Sequence, residues 1–330
     1  MGTTTGFGRT PSAPPVSATV AQGLFNERVI NKDEVQKVLR VMPPYGLQSL
    51  DGSYPIETGW TGYNTADGDI TLARPEHATD FPPVTQSMSS ADFTTTRKMI
   101  GQFAVNRTRQ AALMAASGVD SFAKFMRDVM AKASQGFAVE AWAAVATTGN
   151  YASGHQADSG NITSASFSLL DVMDTAITAF RDAQQADDDT KFVVSIAEDA
   201  WLYVPLLTEF KESPAINRLA LSGRLPESAI DGWLKTYYPQ IETVQKISSR
   251  YSLAGTITPA LTMAVHIAIA NPGTGNSAWK LTTPDGGADL WDVRSDYEKD
   301  NNSDEYVVDG WWGMNLQNNQ AHYLSHTLGS

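Results

Sequence analysis

The sequence predicts an α+β protein, and three stretches carry that expectation. Residues 120–149, DSFAKFMRDVMAKASQGFAVEAWAAVATTG, repeat apolar side chains at three- and four-residue steps, the period of one helical face. Residues 191–207, KFVVSIAEDAWLYVPLL, have the form of a short buried strand running into a helix. Residues 305–317, EYVVDGWWGMNLQ, read as a strand that sets Trp311 beside Trp312. Adjacent strand side chains point to opposite faces, so the two indoles cannot share one core, and something has to cover the second face.

Composition bounds the possibilities. A chain of 330 residues, 42% hydrophobic and 18% charged, can bury one large core or two smaller ones. No run approaches the roughly 18 apolar residues of a membrane helix, and the first residues lack a charged segment followed by an apolar one, so a cytoplasmic location is expected. The absence of cysteine removes disulfides, thiolate metal sites and thiol nucleophiles. Net charge is −12. About 16 acids and 14 bases precede Asp182, and about 20 acids and 10 bases follow from it. So acidic a chain is a poor candidate for tight nucleic-acid binding, which needs clustered Lys and Arg.

In chain order, residues 1–30 are rich in Thr, Pro, Ser and Gly and read as an extended arm. NKDEVQKVLRVM then offers Asn31 as N-cap and Glu34 as its capping-box partner, with Val35, Val38, Leu39 and Met42 on one face, ended by Pro43 and Pro44. From Pro55 to about Thr96 the chain is turn-rich. Asp67-Gly68 marks a hairpin turn, while Pro75, Pro82 and Pro83 exclude a central strand or helix through the middle. About 40 residues without helical pattern is long for a loop inside a compact domain, and such a segment usually reaches out to something.

TTTRKMIGQFAVNRT, with Met99, Phe103 and Val105 loosely alternating, is expected to be a strand. The long helix follows, capped by Asp120, with Phe122, Phe125, Met126, Val129, Met130, Ala133 and Phe137 on its stripe and Gly136 as a possible bend. Its roughly 25 residues span nearly 40 Å at about 1.5 Å per residue. A second helix is expected from Phe167 to Arg181, a strand from Phe192 to Ile196, and a helix from near Glu198. PESAIDGWLKTYYPQIETVQKI repeats the order of helix and then strand. ALTMAVHIAIANP is apolar enough for a central strand. The rest reads as strands joined by polar turns, with Asp285-Gly286-Gly287 the clearest turn.

Sites of chemistry are hard to find. GFGRTP follows no strand and lacks both the lysine and the third glycine of a phosphate loop. His322 and His326 lie four apart, but no Glu follows the first, and a surface position is expected. DNNSDE, residues 300–305, lacks the glycine of a calcium loop, and ADDDT, residues 186–190, reads as a solvated charge run. Ser195 is flanked by Val193 and Ala197 where a nucleophile elbow needs glycines, and His266 is expected in a core or an interface. No catalytic, cofactor-binding or metal-binding residue is assigned.

Aromatic residues say more. Eight Trp and eleven Tyr are many for this length, and Trp60, Tyr63, Tyr237, Tyr238, Trp311 and Trp312 lie in loop-like or doubly apolar contexts. Trp, Tyr and Arg dominate association hot spots, so extensive subunit contacts are expected.

The order of elements resembles the tailed-phage major capsid protein family, whose fold also appears in encapsulin shells. ADFTTTRKMIGQFAVNRTRQAALMAASGVDSFAKFMRDVMAKASQGFAVEAWAAV is similar to that family's hairpin return strand and spine helix. LLDVMDTAITAFRDAQQADDDTKFVVSIAEDAWLYVPLL is similar to the first helix and strand of its axial domain. The resemblance implies an N-terminal arm over residues 1–54, an extended β-hairpin loop over 55–98, a peripheral domain over 99–149 and 276–330, and an axial domain over 150–275. It implies no enzyme and no cofactor, but a virion capsid subunit assembled in the host cytoplasm into hexamers and pentamers.

The implied partners are copies of the chain itself, portal, scaffolding or decoration proteins, and encapsidated DNA contacted non-specifically, with no membrane. Candidate subunit-contact residues are Trp60, Tyr63, Arg74, Phe81, Arg97, Lys98, Tyr237, Tyr238, Trp311 and Trp312. Some members of the family crosslink subunits through a Lys on the extended loop. Residues 55–96 contain no Lys and Lys98 falls at the loop's base, so a noncovalent shell is expected. Scaffolding is expected to be separate or already removed. An encapsulin-like compartment, and a soluble α+β enzyme, are the alternatives.

Overall fold

Two five-stranded sheets and a separate two-stranded ribbon organise the described residues. The computed structural model describes residues 32–46, 51–61, 85–94, 96–117, 121–158, 167–183, 185–213, 227–248, 261–270, 277–283, 290–298 and 303–328. The elements, in order, are α1 (Asp33–Val41), β1 (Pro44–Gly46), β2 (Asp51–Thr61), β3 (Thr85–Thr94), β4 (Thr96–Asn106), α2 (Arg107–Ser117), α3 (Ser121–Val145), β5 (Gln156–Asp158) and α4 (Leu169–Asp182). There follow β6 (Phe192–Ala197), α5 (Glu198–Tyr203), α6 (Thr208–Lys211), α7 (Glu227–Tyr237), β7 (Ile241–Ile247), β8 (Leu261–Ile269), β9 (Trp279–Thr283), β10 (Trp291–Glu298), β11 (Ser303–Leu316) and β12 (His322–Leu328). The expected arm up to Asn31, the Asp67-Gly68 and Asp285-Gly286-Gly287 turns and the Asp120 cap lie outside the described residues.

The first sheet is built on β11. Its first part pairs antiparallel with β10 and with β4, its last four residues pair with β9, and β1 adds to β9 in parallel. Trp312 is 3% exposed and Trp311 is half-buried, so only one indole enters the core. The Trp312 ring meets Phe137 of α3 edge-on at 5.3 Å and Trp291 of β10 at 6.1 Å, while its Nε1 donates to Glu140 of α3 at 3.1 Å. Gly310 makes this possible. It lies two residues before Trp312, opposite Trp291 in register, and a Cβ there would collide with the Trp312 ring.

Helix α3 runs unbroken through Gly136, so the expected bend does not occur. Val129, Ala133, Phe137, Ala141, Trp142 and Val145 are buried along its inner face, and Val35, Val38 and Val41 of α1 join the same core. The start of α1 differs from expectation. Lys32 occupies the N-cap without a side-chain bond, and Asp33 and Glu34 fill the first turn, where their charge suits the positive end of the helix dipole. Helix α2 was not foreseen. Its Ala-rich sequence has no apolar stripe, but the Asn106 side chain accepts from the backbone N–H of Arg109 at 3.0 Å, an N-cap that ends β4 and begins the helix.

The second sheet has the order β5-β12-β8-β6-β7, with β8 at its centre as its apolar run predicts. All six residues of β6 are buried, so both faces of the sheet are covered. Helix α4 stacks Phe180 on Phe192 at 5.6 Å. Its first turn is capped by Ser168, whose Oγ accepts from Asp171 N–H, and by Glu209 of α6, which accepts from Leu169 N–H at 2.7 Å. Gln245 of β7, buried, donates to Ser195 Oγ at 2.9 Å and to the Lys37 carbonyl of α1 at 3.0 Å, tying α1 to this sheet.

The seam between α3 and the second sheet is aromatic and histidine-rich. Tyr151, whose hydroxyl donates to the Val145 carbonyl at 2.6 Å, stacks on His322 at 4.0 Å, and His266 meets His322 edge-on at 5.7 Å. His322 was expected at the surface. It is fully buried, because Trp279 Nε1 donates to its Nδ1 at 3.2 Å and its Nε2–H in turn donates to the Asn150 carbonyl at 3.0 Å. Both nitrogens of a neutral ring are thereby satisfied. Burial lowers its pKa to about 3, and it also holds His266 well below the ordinary value. His155, which donates to the His322 carbonyl, is lowered too, again chiefly by burial.

Two outcomes follow. Gly310→Ala should cost about 1–3 kcal/mol of unfolding free energy by overpacking against Trp312, and Trp312→Leu in the same chain should relieve part of that cost. Strictly additive denaturant midpoints for the two changes would contradict the contact. The histidines stay neutral when folded and take up protons when unfolded, so their stability is fully present above about pH 6.5 and is lost as pH falls toward 3. Two such groups give a slope of about 3 kcal/mol per pH unit, and His266→Leu should remove about one proton from the slope measured between pH 7 and 5.

Candidate functional site

The chemistry-bearing residues come together without forming a reactive centre. Ser195 stands opposite His266 in the β6–β8 register, but its hydroxyl is fully buried and accepts from Gln245 instead. His322 has both ring nitrogens engaged, which leaves it no lone pair for a metal. Among the described residues no group of three or more His, Asp or Glu side chains could hold a metal ion. A cleft of about 230 Å³ lies between α1 and the second sheet, lined by Leu39, Arg40, Val193, Glu242 and Ile269, and none of the three buried histidines reaches it. The Asp187–Asp189 run is exposed, and Asp187 is occupied by accepting from Thr190 Oγ1 at 2.6 Å.

The pairing of the strands is more informative. Strands β2 and β3 pair antiparallel over ten registered pairs, from Asp51 opposite Thr94 to Thr61 opposite Thr85, and pair with no other strand among the described residues. At about 3.3 Å per residue this ribbon is roughly 35 Å long. Only Thr95 separates β3 from β4, so the ribbon springs directly from the first sheet. Trp60 lies on it, opposite Gln86. Arg97 and Lys98 begin β4 opposite Trp311 and Gly310. Tyr63, Arg74 and Phe81 lie outside the described residues.

An exposed region lies on the helices beside β6 and β7. Tyr237, at the end of α7, is 49% exposed, its ring edge-on to Trp233 at 6.0 Å. Tyr238 is half-buried, and its hydroxyl donates to Asp174 Oδ1 at 2.8 Å with the Leu170 carbonyl as a second acceptor at 3.1 Å, both on α4. Burial, with the Asp174 carboxylate next in weight, pushes that phenol well up from its usual range. The two large apolar side chains that the sequence reading missed are Leu202, 65% exposed, and Leu206, 58% exposed. Their four-residue spacing in EDAWLYVPLL is the signal that could have found them, because Trp201 and Val204 take the inward positions.

Of the tryptophan pair, Trp312 is taken up inside its own chain and Trp311 remains accessible in part. The end of β4 is locked to β11 by a two-pronged ion pair, Arg107 Nε to Asp304 Oδ2 at 2.8 Å and the Arg107 terminal nitrogen to Oδ1 at 2.6 Å. Such a planar fork fixes direction as well as distance. It holds the far end of β4, where α2 begins, against the sheet.

By sequence the chain matches no family model and no curated relative. By structure it is similar to a phage-related protein from Bordetella bronchiseptica RB50, at 14% identity and a TM-score of 0.57, over 92% of this chain and 95% of that one. A chain from Microbacterium phage Oxtober96 is similar at 10% identity and a TM-score of 0.54, over 88% and 90%. The capsid of Myoviridae phage XM1 is similar at 10% identity and a TM-score of 0.52, over 90% and 91%. At such identities the likeness is one of fold, and it extends over about nine-tenths of every chain compared. The protein has the tailed-phage major capsid fold.

Proposed function

We propose that the protein is a major capsid subunit that assembles with copies of itself into a closed icosahedral shell around double-stranded DNA. The observation that carries this reading is the fold shared with a phage capsid over 90% of this chain, which leaves no sizeable region for a separate catalytic domain. The β2–β3 ribbon supports it physically. A two-stranded ribbon alone in water is marginal at best, so one roughly 35 Å long calls for support from outside its own sheet, and a neighbouring subunit is the natural source.

On this reading residues 1–54 are the arm, 55–98 the extended loop, 99–149 with 276–330 the peripheral domain and 150–275 the axial domain. Helix α3 is then the spine. Strand β12 pairs with β8, so the peripheral part contributes a strand to the axial sheet. Trp60, Tyr63, Arg74, Phe81, Arg97 and Lys98 serve the contacts of the loop and its root. Trp311 and Trp312 lie next to that root in register with β4. Tyr237 and Tyr238, with Leu202 and Leu206, serve contacts around the capsomer centre.

Shell formation needs no enzymatic step. Each contact buries on the order of 1,600 Å², and the many contacts per subunit multiply modest affinities into a stable wall. Portal, scaffolding and decoration proteins belong to the same reading, with assembly in the host cytoplasm.

Negative-stain electron microscopy of the purified protein should show closed shells tens of nanometres across, or rings of five and six subunits. Uniform monomers or dimers at every concentration and salt would overturn the proposal, and shells holding protein cargo without nucleic acid would return an encapsulin-type compartment. Trp60→Ala should abolish shells while leaving the melting temperature of unassembled subunits unchanged, since removing a fully buried Trp costs about 3–5 kcal/mol at the contact. Normal shells would remove Trp60 from the interface. Boiled in detergent, shells should run as one band at 35.7 kDa, because the loop lacks the lysine for crosslinking.

A further inference from the structure

Among the described residues three large apolar side chains stand in solvent, and two of them, Leu202 and Leu206, share one short segment. A single exposed leucine is ordinary, but two on one rigid mount make a patch. The mount is fixed from within. Trp201, Val204, Leu207 and Phe210 are buried around the pair, and Pro205 stiffens the 3₁₀ turn Val204–Leu206 between α5 and α6. The leucines therefore form a knob that loses little freedom when it is covered. Exposed Asp199 precedes the knob by three residues and exposed Lys211 follows it by five. Neither forms an ion pair among the described residues.

The cleft between α1 and the second sheet is its counterpart. Leu39, Pro43, Val193 and Ile269 supply apolar walls, while Arg40 on α1 and Glu242 on β7 stand exposed at its rim. Arg40 reaches Gln245 at 3.4 Å, and neither rim charge is in an ion pair among the described residues. At about 230 Å³ the cleft is smaller than the roughly 300–1,000 Å³ of small-molecule sites and suits one or two side chains. Its own leucine knob does not line it, and topology keeps the two apart. Val193 and Glu242 lie near the starts of β6 and β7, and Ile269 ends antiparallel β8, so the cleft marks one end of the sheet. Helix α5 leaves from the other end of β6, a strand roughly 20 Å long.

We propose that Leu202 and Leu206 of one copy seat in the cleft of a second copy, with Asp199 facing that copy's Arg40 and Lys211 facing its Glu242. The proposal deepens the shell reading and rests on it for the choice of partner. The signs of the charges favour the same occupant: a knob flanked by an acid and a base meets a cleft flanked by a base and an acid, so the chain is complementary to itself. Because knob and cleft are different surfaces at opposite ends of one sheet, the contact is head-to-tail, and a pair of copies still offers one free knob and one free cleft. Such a contact propagates until rotation closes a ring, where a two-fold contact stops at a dimer.

The chain has no cysteine, so two introduced thiols report on one contact alone. Full-length subunits carrying Asp199→Cys and others carrying Arg40→Cys, both exposed positions, are purified separately, mixed and oxidised with diamide. A disulfide-linked dimer should form on a non-reducing gel from the mixture and from neither variant alone. In sedimentation velocity, Asp199→Lys should weaken association by about tenfold or more, because it sets like charges against each other, and adding Arg40→Glu in the same chain should restore it. Leu202→Ser with Leu206→Ser should abolish association and leave the melting temperature of the unassembled subunit unchanged, because both side chains are exposed.

Absence of the dimer from the mixture, a dimer of Asp199→Cys with itself, or a second charge change that fails to restore association overturns the contact. Association untouched by the two serine substitutions does so as well, and leaves the leucines to a different partner. Electron microscopy of the wild type keeps the two readings apart. Shells without the cross-link overturn the contact and leave the shell reading standing, whereas the cross-link without shells supports the contact and overturns the shell.

Discussion

Everything in this molecule depends on how α3 is seated on β11. The seat is a cluster of three rings, Phe137, Trp291 and Trp312, meeting edge-on around a residue that has no side chain, Gly310. Each such pair contributes about 0.5–1.5 kcal/mol beyond the apolar area it removes from water. The larger effect is geometric. Because β11 is also the strand to which β4, β9 and β10 are bonded, fixing α3 on it fixes the whole first sheet, and the Glu140 bond to the Trp312 indole sets the helix's rotation.

From there the constraint passes to the second sheet without a gap. Val145 near the end of α3 accepts from Tyr151, Tyr151 stacks on His322, and His322 accepts from Trp279 of the first sheet. Helix α1 closes the same circuit from the other side, burying Val35, Val38 and Val41 in the common core while Gln245 holds its backbone. The two sheets are thus joined through side chains that are satisfied only when both are in position. That is a structural use of histidine and tyrosine.

Much of this was legible in the sequence, and the exceptions have physical reasons. The unbroken apolar run of β8 announces a strand covered on both faces, and the three- and four-residue steps of α3 announce its stripe. By contrast, WW has no period, and only Gly310 decides which indole goes inward, a decision that depends on Trp291 some twenty residues away. His322 sits among Asn, Gln and Ser, a context that reads as surface, and is buried by a donor on a different sheet. Helix α2 escaped notice because its alanines favour helix without favouring a face. Exposure was less legible: Tyr238, in a loop-like context by sequence, is held by α4, while Leu202 and Leu206, ordinary in sequence, stand in solvent.

Strand β12 has a consequence for the order in which the chain can fold. It bonds to β8 on one side and β5 on the other, yet it follows β8 in the sequence by more than fifty residues. While the chain is being synthesised, β8 therefore emerges with an open edge, and the second sheet stays incomplete until residues 322–328 have left the ribosome. A nascent or truncated chain has the ribbon and α3 but not the finished sheet beside them. Only chains translated through β12 present two completed sheets at once.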